Sequence, residues 1–567
     1  MLTAADATPR DADPGLSRTP FGLRDLGIAG GLGLLAALLR YINWKQAVLM
    51  FNDGPRFLVQ AQRFAAGEWE SALGDPYHPL YALVTAAVRL AAGIENAGPL
   101  EWERAAVAVS IFCGAASVVV FYVFAKSAFG ATAAWIGAAL LACNPYSIEF
   151  SSDVQSEGLF QLGFMLAVAL GWSALKRGSP ALAGWAGFAA AVAYLIRPEG
   201  LGVAVATAGV GAWQWLRGRW PLATAAPWAL ALLIGLSMAM TPYLVWLRVE
   251  QGEWLLSNKK SVAALAGTVR DLEQRPSLGV APGAEIAMSH DVREIRYHWR
   301  EKARDAALKA QDKARIQGKK VKEKPTGLRR WLGAVGKLLD TLVSAVRPEI
   351  VIFGLLGIVM ARGRPGLRGQ YVLAVMAVYA ALLLGLTLAY GYISRRHVLT
   401  PGLMLLGYVG LAMPVAGRAL LAGLGRLRGR SVAPSPRATA GVAVALLLAL
   451  GLSKALRPPG SHNRGEREAA EWIAALDDPG GPVAAGKRRV AYYAGAAWFP
   501  LRKIPKEAPL AEALRLSGVR YVVADDGDVR SYRDLAEAER AGLRVVFRAQ
   551  VDDDGATVFE VGSREGG

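Results

Sequence analysis

A lone acid, Asp53, follows the first long apolar segment of the chain and is the first residue that could do chemistry. It stands in the turn Asn52-Asp53-Gly54-Pro55, and an Asp shortly before a Pro is a good helix N-cap. The residues after it place apolar side chains on one helical face, which predicts a short amphipathic helix that ends at Gly67. Asp53 therefore either caps this helix or acts as a general base beside a cavity, and the two roles are compatible.

The same loop continues to a second polar turn, which contains Tyr77 and His78. No second histidine lies at metal-ligand spacing from His78, so the sequence does not predict a histidine metal site. His78 either makes a structural hydrogen bond or lines a substrate cavity together with Tyr77.

Two more acids, Asp153 and Glu157, are four residues apart at the start of an apolar segment and share one face of a helix. The helix dipole favours an acid at a helix start, which is the simplest account of Asp153. Glu157 would lie one turn into the apolar segment, where a carboxylate is costly and indicates a function. Both acids are therefore candidates for the same cavity as Asp53.

Arg197 and Glu199 flank Pro198 in a short turn between two apolar segments. One interpretation is that the two side chains simply pair with each other. The alternative is that Arg197 and Glu199 face the same cavity as Asp53, where Arg197 would help to bind a phosphate.

The composition indicates a membrane protein that crosses the bilayer several times. The chain has 567 residues, of which 53% are hydrophobic and 19% are charged, below the roughly 25% charged residues of soluble domains. The formal net charge is +18, but Lys and Arg collect in cytoplasmic loops and at anionic headgroups, so we do not expect nucleic acid as a partner. Cys113 and Cys143 both lie in apolar runs and are predicted to be core residues.

Apolar runs and basic loops together predict about eleven spans, with the N-terminus in the cytoplasm and the C-terminus outside. The run at 79–94 is short and contains Arg89, so we predict an interfacial helix there. No cleaved signal peptide is expected. The predicted spans are 25–43, 104–125, 131–147, 154–175, 181–196, 199–216, 226–247, 349–361, 371–391, 398–417 and 437–456.

Three further regions complete the predicted organisation. Residues 1–20 have the composition of a disordered tail, and residues 248–348 form a long charged outer loop within a membrane domain that covers 21–456. Residues 460–567 alternate helical and strand-like patterns, which predicts a small extracytoplasmic α/β domain. The predicted fold class is thus mainly α, a polytopic helical membrane protein with a small C-terminal α/β domain.

Arg395, Arg396 and His397 lie together in a short outer loop, which is unusual because short outer loops are poor in arginine. Phosphate recognition is a natural reason, since the guanidinium fork matches phosphate oxygens. Lys259, after the span that ends near 247, is predicted to add a second cation at the same depth.

Together these residues place acids, a histidine and clustered cations at one membrane face, which is the pattern of a transferase with a phosphate leaving group. Positive charge stabilises such a leaving group without a strong general acid. The acid would then either deprotonate an incoming hydroxyl or orient a divalent cation, Mg²⁺ or Mn²⁺.

The chain resembles the GT-C superfamily of membrane glycosyltransferases, and within it the branch of protein O-mannosyltransferases and aminoarabinose transferases. The matching features occur in this order: Asp53, His78-Pro79-Leu80-Tyr81, Asn144-Pro145 with Ser156-Glu157, Arg197-Pro198-Glu199-Gly200, and Arg395-Arg396-His397. Many relatives have Asp-Glu where this chain has Asp53-Gly54, so a role of a second carboxylate is not carried over.

The resemblance implies a polyprenyl-phosphate-linked sugar donor, inverting transfer and an active site on the extracytoplasmic face of a bacterial inner membrane. By this analogy Asp53 is the general base, and Arg395 or Arg396 binds the donor phosphate. The acceptor would be a hydroxyl of a lipid, glycan or protein. A transporter or lipid flippase is the alternative, and it predicts repeated halves with polar groups near the midplane. A non-catalytic assembly protein would leave the two arginines and Glu157 unexplained.

Overall fold

The described part of the computed structural model comprises residues 21–93, 98–258, 327–361, 366–427, 441, 445, 463–476, 481–504, 509–551 and 554–562. Four predicted features lie wholly or mostly outside these residues: the tail 1–20, Lys259, the centre of the outer loop and the last span 437–456.

Long apolar runs form helices, and glycine, proline or a capping side chain marks the breaks between them. The first eight helices are α1 Leu23–Gln46, α2 Gly54–Ala65, α3 Trp69–Leu73, α4 Leu80–Ala91, α5 Pro99–Phe129, α6 Ala131–Ala142, α7 Pro145–Ser151 and α8 Glu157–Arg177. Gly130 separates α5 from α6 with φ +92°, a conformation that favours glycine. The side chain of Asn144 caps α7 and Pro145 is its first residue, so the predicted span 131–147 is divided into two helices.

The following helices complete the membrane domain among the described residues. They are α9 Pro180–Ile196, α10 Leu201–Leu216, α11 Leu222–Gln251, α12 Gly327–Val346, α13 Pro348–Met360, α14 Leu367–Tyr390, α15 Arg395–Gly402 and α16 Leu405–Leu427.

Five of the described helices, α1, α5, α8, α11 and α14, are long and apolar enough to cross a membrane, or seven spans if each of two bent helix pairs counts as one. The protein is therefore an integral membrane protein. The predicted count of about eleven is higher for two reasons. Helices α6, α9 and α10 have only 12, 17 and 16 residues, fewer than the ~20 that a straight crossing needs, and the predicted span 437–456 lies almost wholly outside the described residues.

Each of the two bent helix pairs has its bend close to the predicted outer end of a span. α12 and α13 meet at 103°, and α15 and α16 at 58°. Arg347 stands at the first bend with φ +88°, directly before Pro348, and a residue before proline is disfavoured in the α conformation. Residues 327–346, predicted as part of the outer loop, thus form an amphipathic helix whose buried residues include Ala334 and Thr341.

The predicted interfacial helix at 79–94 corresponds to α4, which has 12 residues. It packs with α2 beside α5: the rings of Phe57 and Tyr81 are 5.1 Å apart, and the Tyr81 hydroxyl donates to the carbonyl oxygen of Ala106 at 3.1 Å. These contacts fix the start of α2, directly after Asp53.

The C-terminal residues form the predicted α/β domain. Its elements are α17 Arg464–Ala474, β1 Val483–Ala485, α18 Arg488–Tyr493, β2 Trp498–Pro500, α19 Leu510–Leu516, β3 Tyr521–Asp525, α20 Asp526–Ser531, α21 Arg533–Ala536, β4 Leu543–Val551 and β5 Asp554–Val561.

One sheet has the strand order β2-β1-β3-β5-β4, with β2, β1 and β3 parallel and the pairs β3–β5 and β5–β4 antiparallel. Val483 of β1 pairs with Trp498 on one side and Tyr521 on the other. The sequence shows strand-like runs at 519–524, 543–548 and 557–561, which correspond to β3, β4 and β5. It did not predict β1 and β2, because three residues are too few to show strand alternation.

Glycines allow α9 and α11 to approach each other at backbone distance. A Cβ on Gly187 would overlap the carbonyl oxygen of Leu232, and a Cβ on Gly235 would overlap that of Gly184. Small residues at such crossings are a common means of packing membrane helices.

Replacement of Gly235 by Ala should lower the thermal unfolding temperature of the detergent-purified protein, since overpacking typically costs about 1–3 kcal/mol. Gly30→Ala is the matched control, because a Cβ at Gly30 in α1 meets no atom within 4 Å and alanine favours helix. Its unfolding temperature should equal or exceed that of the wild type. Equal temperatures for the two variants would contradict the packing described.

Candidate functional site

Four turns bring charged residues together at one end of the membrane domain. The turn before α2 supplies Asp53, and the start of α8 supplies Glu157. The turn after α9 supplies Arg197 and Glu199, and the start of α15 supplies residues 395–397. The described residues of the candidate site therefore come from segments up to 343 positions apart in sequence.

The carboxylate of Asp53 does not cap α2. Asp53 is the N-cap residue by position, but its side chain makes no hydrogen bond to that helix. Instead, Nη1 and Nη2 of Arg396 donate to its Oδ2 at 3.1 and 3.2 Å. The side chain is 26% exposed, so Asp53 remains accessible to a substrate.

A chain of ion pairs continues from this contact. Arg396 Nη1 is 3.5 Å from Glu157 Oε1, and Arg197 Nη1 donates to the same oxygen at 2.7 Å. Arg197 Nη2 is 3.4 Å from Glu199 Oε1. Burial lowers the pKa of Arg197, but the charges of Glu199 and Glu157 outweigh it, so the net shift is upward. Arg197 is thus paired with carboxylates, and its predicted contact with donor phosphate stays a prediction.

His397 is held by the first turn of α15. Its Nδ1 accepts from the backbone N–H of Ser394 at 3.3 Å and lies 2.8 Å from the Ser394 hydroxyl oxygen. The ring proton of the neutral side chain is then on Nε2, which lies 4.0 Å from Glu199 Oε1. The carbonyl oxygen of Glu199 accepts from the Tyr379 hydroxyl at 2.7 Å, so this turn is fixed from two sides.

Arg395 differs from Arg396 and Arg197 in its contacts, which are with an aromatic ring and a hydroxyl group. Its guanidinium lies 5.0 Å from the centre of the Tyr146 ring, and its Nε donates to the Ser344 hydroxyl at 3.3 Å. Among the described residues it has no carboxylate partner. A guanidinium placed in this way suits an anionic ligand.

The Asp153 carboxylate is buried and accepts hydrogen bonds from backbone N–H groups. Its Oδ1 accepts from the N–H groups of Phe51 at 3.0 Å and Val154 at 2.6 Å. Burial raises the pKa of Asp153 to about 6, although these hydrogen bonds act in the opposite direction. The prediction that Asp153 and Glu157 share one face of a helix is wrong, because α8 begins at Glu157 and Asp153 lies in the turn before it, where its carboxylate binds backbone.

The side chains of Tyr77 and His78, in the second polar turn, have different surroundings. Tyr77 shares a side-chain hydrogen bond with Asp53, and burial together with this carboxylate raises the pKa of Tyr77. His78 turns away: its Nε2 lies 2.9 Å from the Ser257 hydroxyl oxygen, and its ring packs against Tyr194. Tyr77 therefore lies at the candidate site, while His78 contacts the buried residues Ser257 and Tyr194.

The carboxylates of the site do not fit a metal ion held by the protein alone. Asp53 and Glu157 both contact guanidinium groups. The described residues contain no group of three His, Cys, Asp or Glu side chains that could hold a metal ion.

Sequence reasoning missed several residues that support the site. The ring of Phe51 lies 4.5 Å from the Arg396 guanidinium carbon, and Tyr146 and Ser344 contact Arg395. Aromatic and hydroxyl residues are common in membrane helices, so nothing in the sequence singles these three out.

One protein family matches part of the chain. Residues 99–246, which contain α5 to α10 and most of α11, match the family described as dolichyl-phosphate-mannose-protein mannosyltransferase. No curated protein sequence matches the chain.

Solved structures of two transferases are similar over nearly the whole chain. ArnT from Cupriavidus metallidurans bound to undecaprenyl phosphate has a TM-score of 0.56 at 15% identity, covering 95% of this chain and 99% of that one. The Archaeoglobus fulgidus oligosaccharyltransferase in complex with Zn and sulfate has a TM-score of 0.56 at 13% identity, covering 94% and 72%. The predicted GT-C fold and the resemblance to the protein O-mannosyltransferase and ArnT-like branch are confirmed.

Glu157→Gln should lower the free energy of unfolding by about 3 kcal/mol, because it leaves two largely buried guanidinium groups with less negative charge. Glu157 is 7% exposed. The matched control is Glu537→Gln, whose ion pair with Arg533 is exposed and should be worth under about 1 kcal/mol. Thermal or chemical unfolding measures both, and equal losses would contradict a structural role of Glu157.

Proposed function

We propose that the protein is an inverting glycosyltransferase that moves a sugar from a polyprenyl-phosphate donor to a hydroxyl acceptor on the extracytoplasmic face. The observation that carries this proposal is the contact between Asp53 and Arg396, with Arg395 on the same turn. An accessible base and cations for a phosphate thus stand side by side.

Among the three candidate acids, Asp53 is the best placed to act as the base. Glu157 is nearly buried and contacts two arginines. Asp153 is occupied by two backbone N–H groups. Asp53 is the most exposed of the acids in the ion-pair chain, and only one of its oxygens receives the hydrogen bonds from Arg396. The Tyr77 hydroxyl supports its orientation.

The charge of the donor explains the two arginines. A polyprenyl-phosphate sugar is a phosphodiester with one negative charge, and its leaving group is a phosphate monoester with up to two. Arg395 and Arg396 would therefore interact more strongly with the transition state than with the bound donor, which is the condition for catalysis. A donor phosphate would also give Arg396 an alternative partner and release Asp53 to accept a proton.

The chemical step follows from this arrangement. The acceptor oxygen forms a bond to the anomeric carbon while the bond from that carbon to the phosphate oxygen breaks. The proton of the acceptor hydroxyl goes to Asp53, and the electron pair of the broken bond leaves with the phosphate. Attack from the face opposite to the leaving group inverts the anomeric centre.

The proposal defines the sugar, the acceptor and the membrane only by class. The sugar is a hexose or pentose, and the acceptor is a hydroxyl of a lipid, glycan or protein. The membrane is a bacterial plasma membrane with the N-terminus in the cytoplasm and the C-terminal domain outside.

A divalent cation would enter with the donor phosphate, since Mg²⁺ commonly combines one or two carboxylates with substrate phosphate oxygens. Activity after EDTA, with and without added Mg²⁺ or Mn²⁺, tests that requirement.

The comparisons favour this function over the transporter alternative. The matched family and both similar structures are glycosyltransferases. The bound undecaprenyl phosphate of ArnT supports a polyprenyl phosphate as the lipid part of the donor here.

Asp53→Asn should reduce the transfer rate at least ~100-fold, because general-base catalysis typically contributes 10²–10⁴. The assay follows radiolabelled sugar from a panel of undecaprenyl-phosphate hexoses and pentoses into bacterial membrane lipids. Glu70→Gln in α3, an exposed acid of the same loop, is the control and should keep wild-type activity. Near-full activity of Asp53→Asn would refute Asp53 as the base.

Arg395→Gln should raise the KM for the donor about tenfold and lower kcat as well, because the arginine is proposed to bind the leaving phosphate. Arg329→Gln, which removes an exposed arginine of α12, should change neither constant. Unfolding temperatures of both variants check that the fold is intact. Unchanged kinetics for Arg395→Gln would remove it from the donor site.

A further inference from the structure

The C-terminal domain contacts the residues that lead to Asp53. Residues 50–53, here called the base segment, lie between α1 and α2 and lead directly into α2. Side chains of α18, more than 430 positions later in the chain, reach this segment. One continuous apolar cluster, which includes Leu49 and Tyr493, joins the two regions.

Both backbone polar groups of Met50 are bound by this domain. The N–H of Met50 donates to the hydroxyl oxygen of Tyr493 at 3.1 Å. The carbonyl oxygen of Met50 accepts from Arg489 Nη1 at 3.0 Å. Met50 is buried at 2% exposure, so these bonds replace water that the peptide groups would otherwise need.

The two side chains are themselves held in place. The Tyr493 hydroxyl donates to Glu103 Oε2 at 2.9 Å, which leaves its oxygen free to accept from Met50. Arg489 Nη2 donates to Asn463 Oδ1 at 2.9 Å and is 3.8 Å from Glu466 Oε2. Both groups therefore have fixed directions.

The constraint passes from Met50 to Asp53 through a short stretch of backbone. The next N–H group, that of Phe51, donates to Asp153, and the carbonyl oxygen of Phe51 accepts from Gly54 at 2.9 Å. The Phe51 ring packs against Arg396. Because Met50, Phe51, Asp53 and Gly54 are bonded or packed in this way, the direction of the Asp53 carboxylate depends on where Met50 is held.

We propose that Arg489 and Tyr493 are positioning residues that set the direction of Asp53, so that the C-terminal domain completes the catalytic site. This inference rests on the proposed function for its kinetic consequence and on the geometry alone for its structural one. A displacement of a reacting group by about 1 Å can cost 10²-fold in rate, so loss of one such bond has a measurable effect.

The first measurement does not need a substrate. Hydrogen exchange of the base segment is compared in the full-length wild type, Tyr493→Phe and Tyr492→Phe. Tyr492 is the matched control, because it is the neighbouring residue and its hydroxyl binds Pro99 instead. The Met50 amide should exchange about tenfold or more faster in Tyr493→Phe, since its acceptor is lost, and at the wild-type rate in Tyr492→Phe. Unchanged exchange in Tyr493→Phe would overturn the proposal.

The second measurement is a double-mutant cycle with the transfer assay. Tyr493→Phe and Arg489→Met should each lower kcat about tenfold with donor KM within twofold, and Arg489→Lys should recover part of the loss. In the Asp53→Asn background the same changes should cost less than about twofold, because they act through Asp53.

Equal losses in both backgrounds, or wild-type kcat in Tyr493→Phe and Arg489→Met, would refute positioning through Asp53. If Asp53→Asn itself retains full activity, the base assignment fails and the kinetic part of the inference fails with it. Hydrogen exchange then still decides whether α18 holds the base segment.

Discussion

The arrangement of this end of the molecule depends on charge compensation around Arg396. Its guanidinium contacts Asp53 from the first loop and Glu157 from the start of α8, and Glu157 in turn binds Arg197. Charged groups with little access to water are costly unless they are paired and hydrogen-bonded. The ion-pair chain therefore requires the turns that carry these residues to stay together, and the same requirement creates a polar site at the edge of an apolar bundle.

The helices supply the rigidity that this ion-pair chain needs. Ser394 and His397 form the capping contacts of α15 and so fix the first turn that presents both arginines. Close packing of α9 on α11 through Gly187 and Gly235 fixes the helix that ends directly before Arg197. Short helices and sharp bends concentrate at this end because the turns that carry the polar residues interrupt the apolar runs. The proposed transfer from a lipid-linked donor needs a fixed polar site of this kind.

The C-terminal α/β domain and the membrane helices act as one unit near Asp53. They share an apolar cluster, and Tyr493 bridges Met50 and Glu103. The side chains of this domain satisfy backbone groups of the segment that carries the proposed base. This gives a physical reason why a chain of this kind would retain both parts in one polypeptide.

The sequence by itself determined the class of the protein and most of the residues at the site. Apolar runs, Asn144-Pro145 and the two adjacent arginines are local signals, and they predicted a helical membrane protein with acids and cations at one face. Only the tertiary structure decided that Asp53 pairs with Arg396 instead of capping α2, that His78 turns away towards Ser257, and that Arg489 reaches Met50. Each of these contacts joins segments more than 170 residues apart. Propensity, periodicity and capping act over a few residues, whereas the pairing of distant charges follows from how the helices pack.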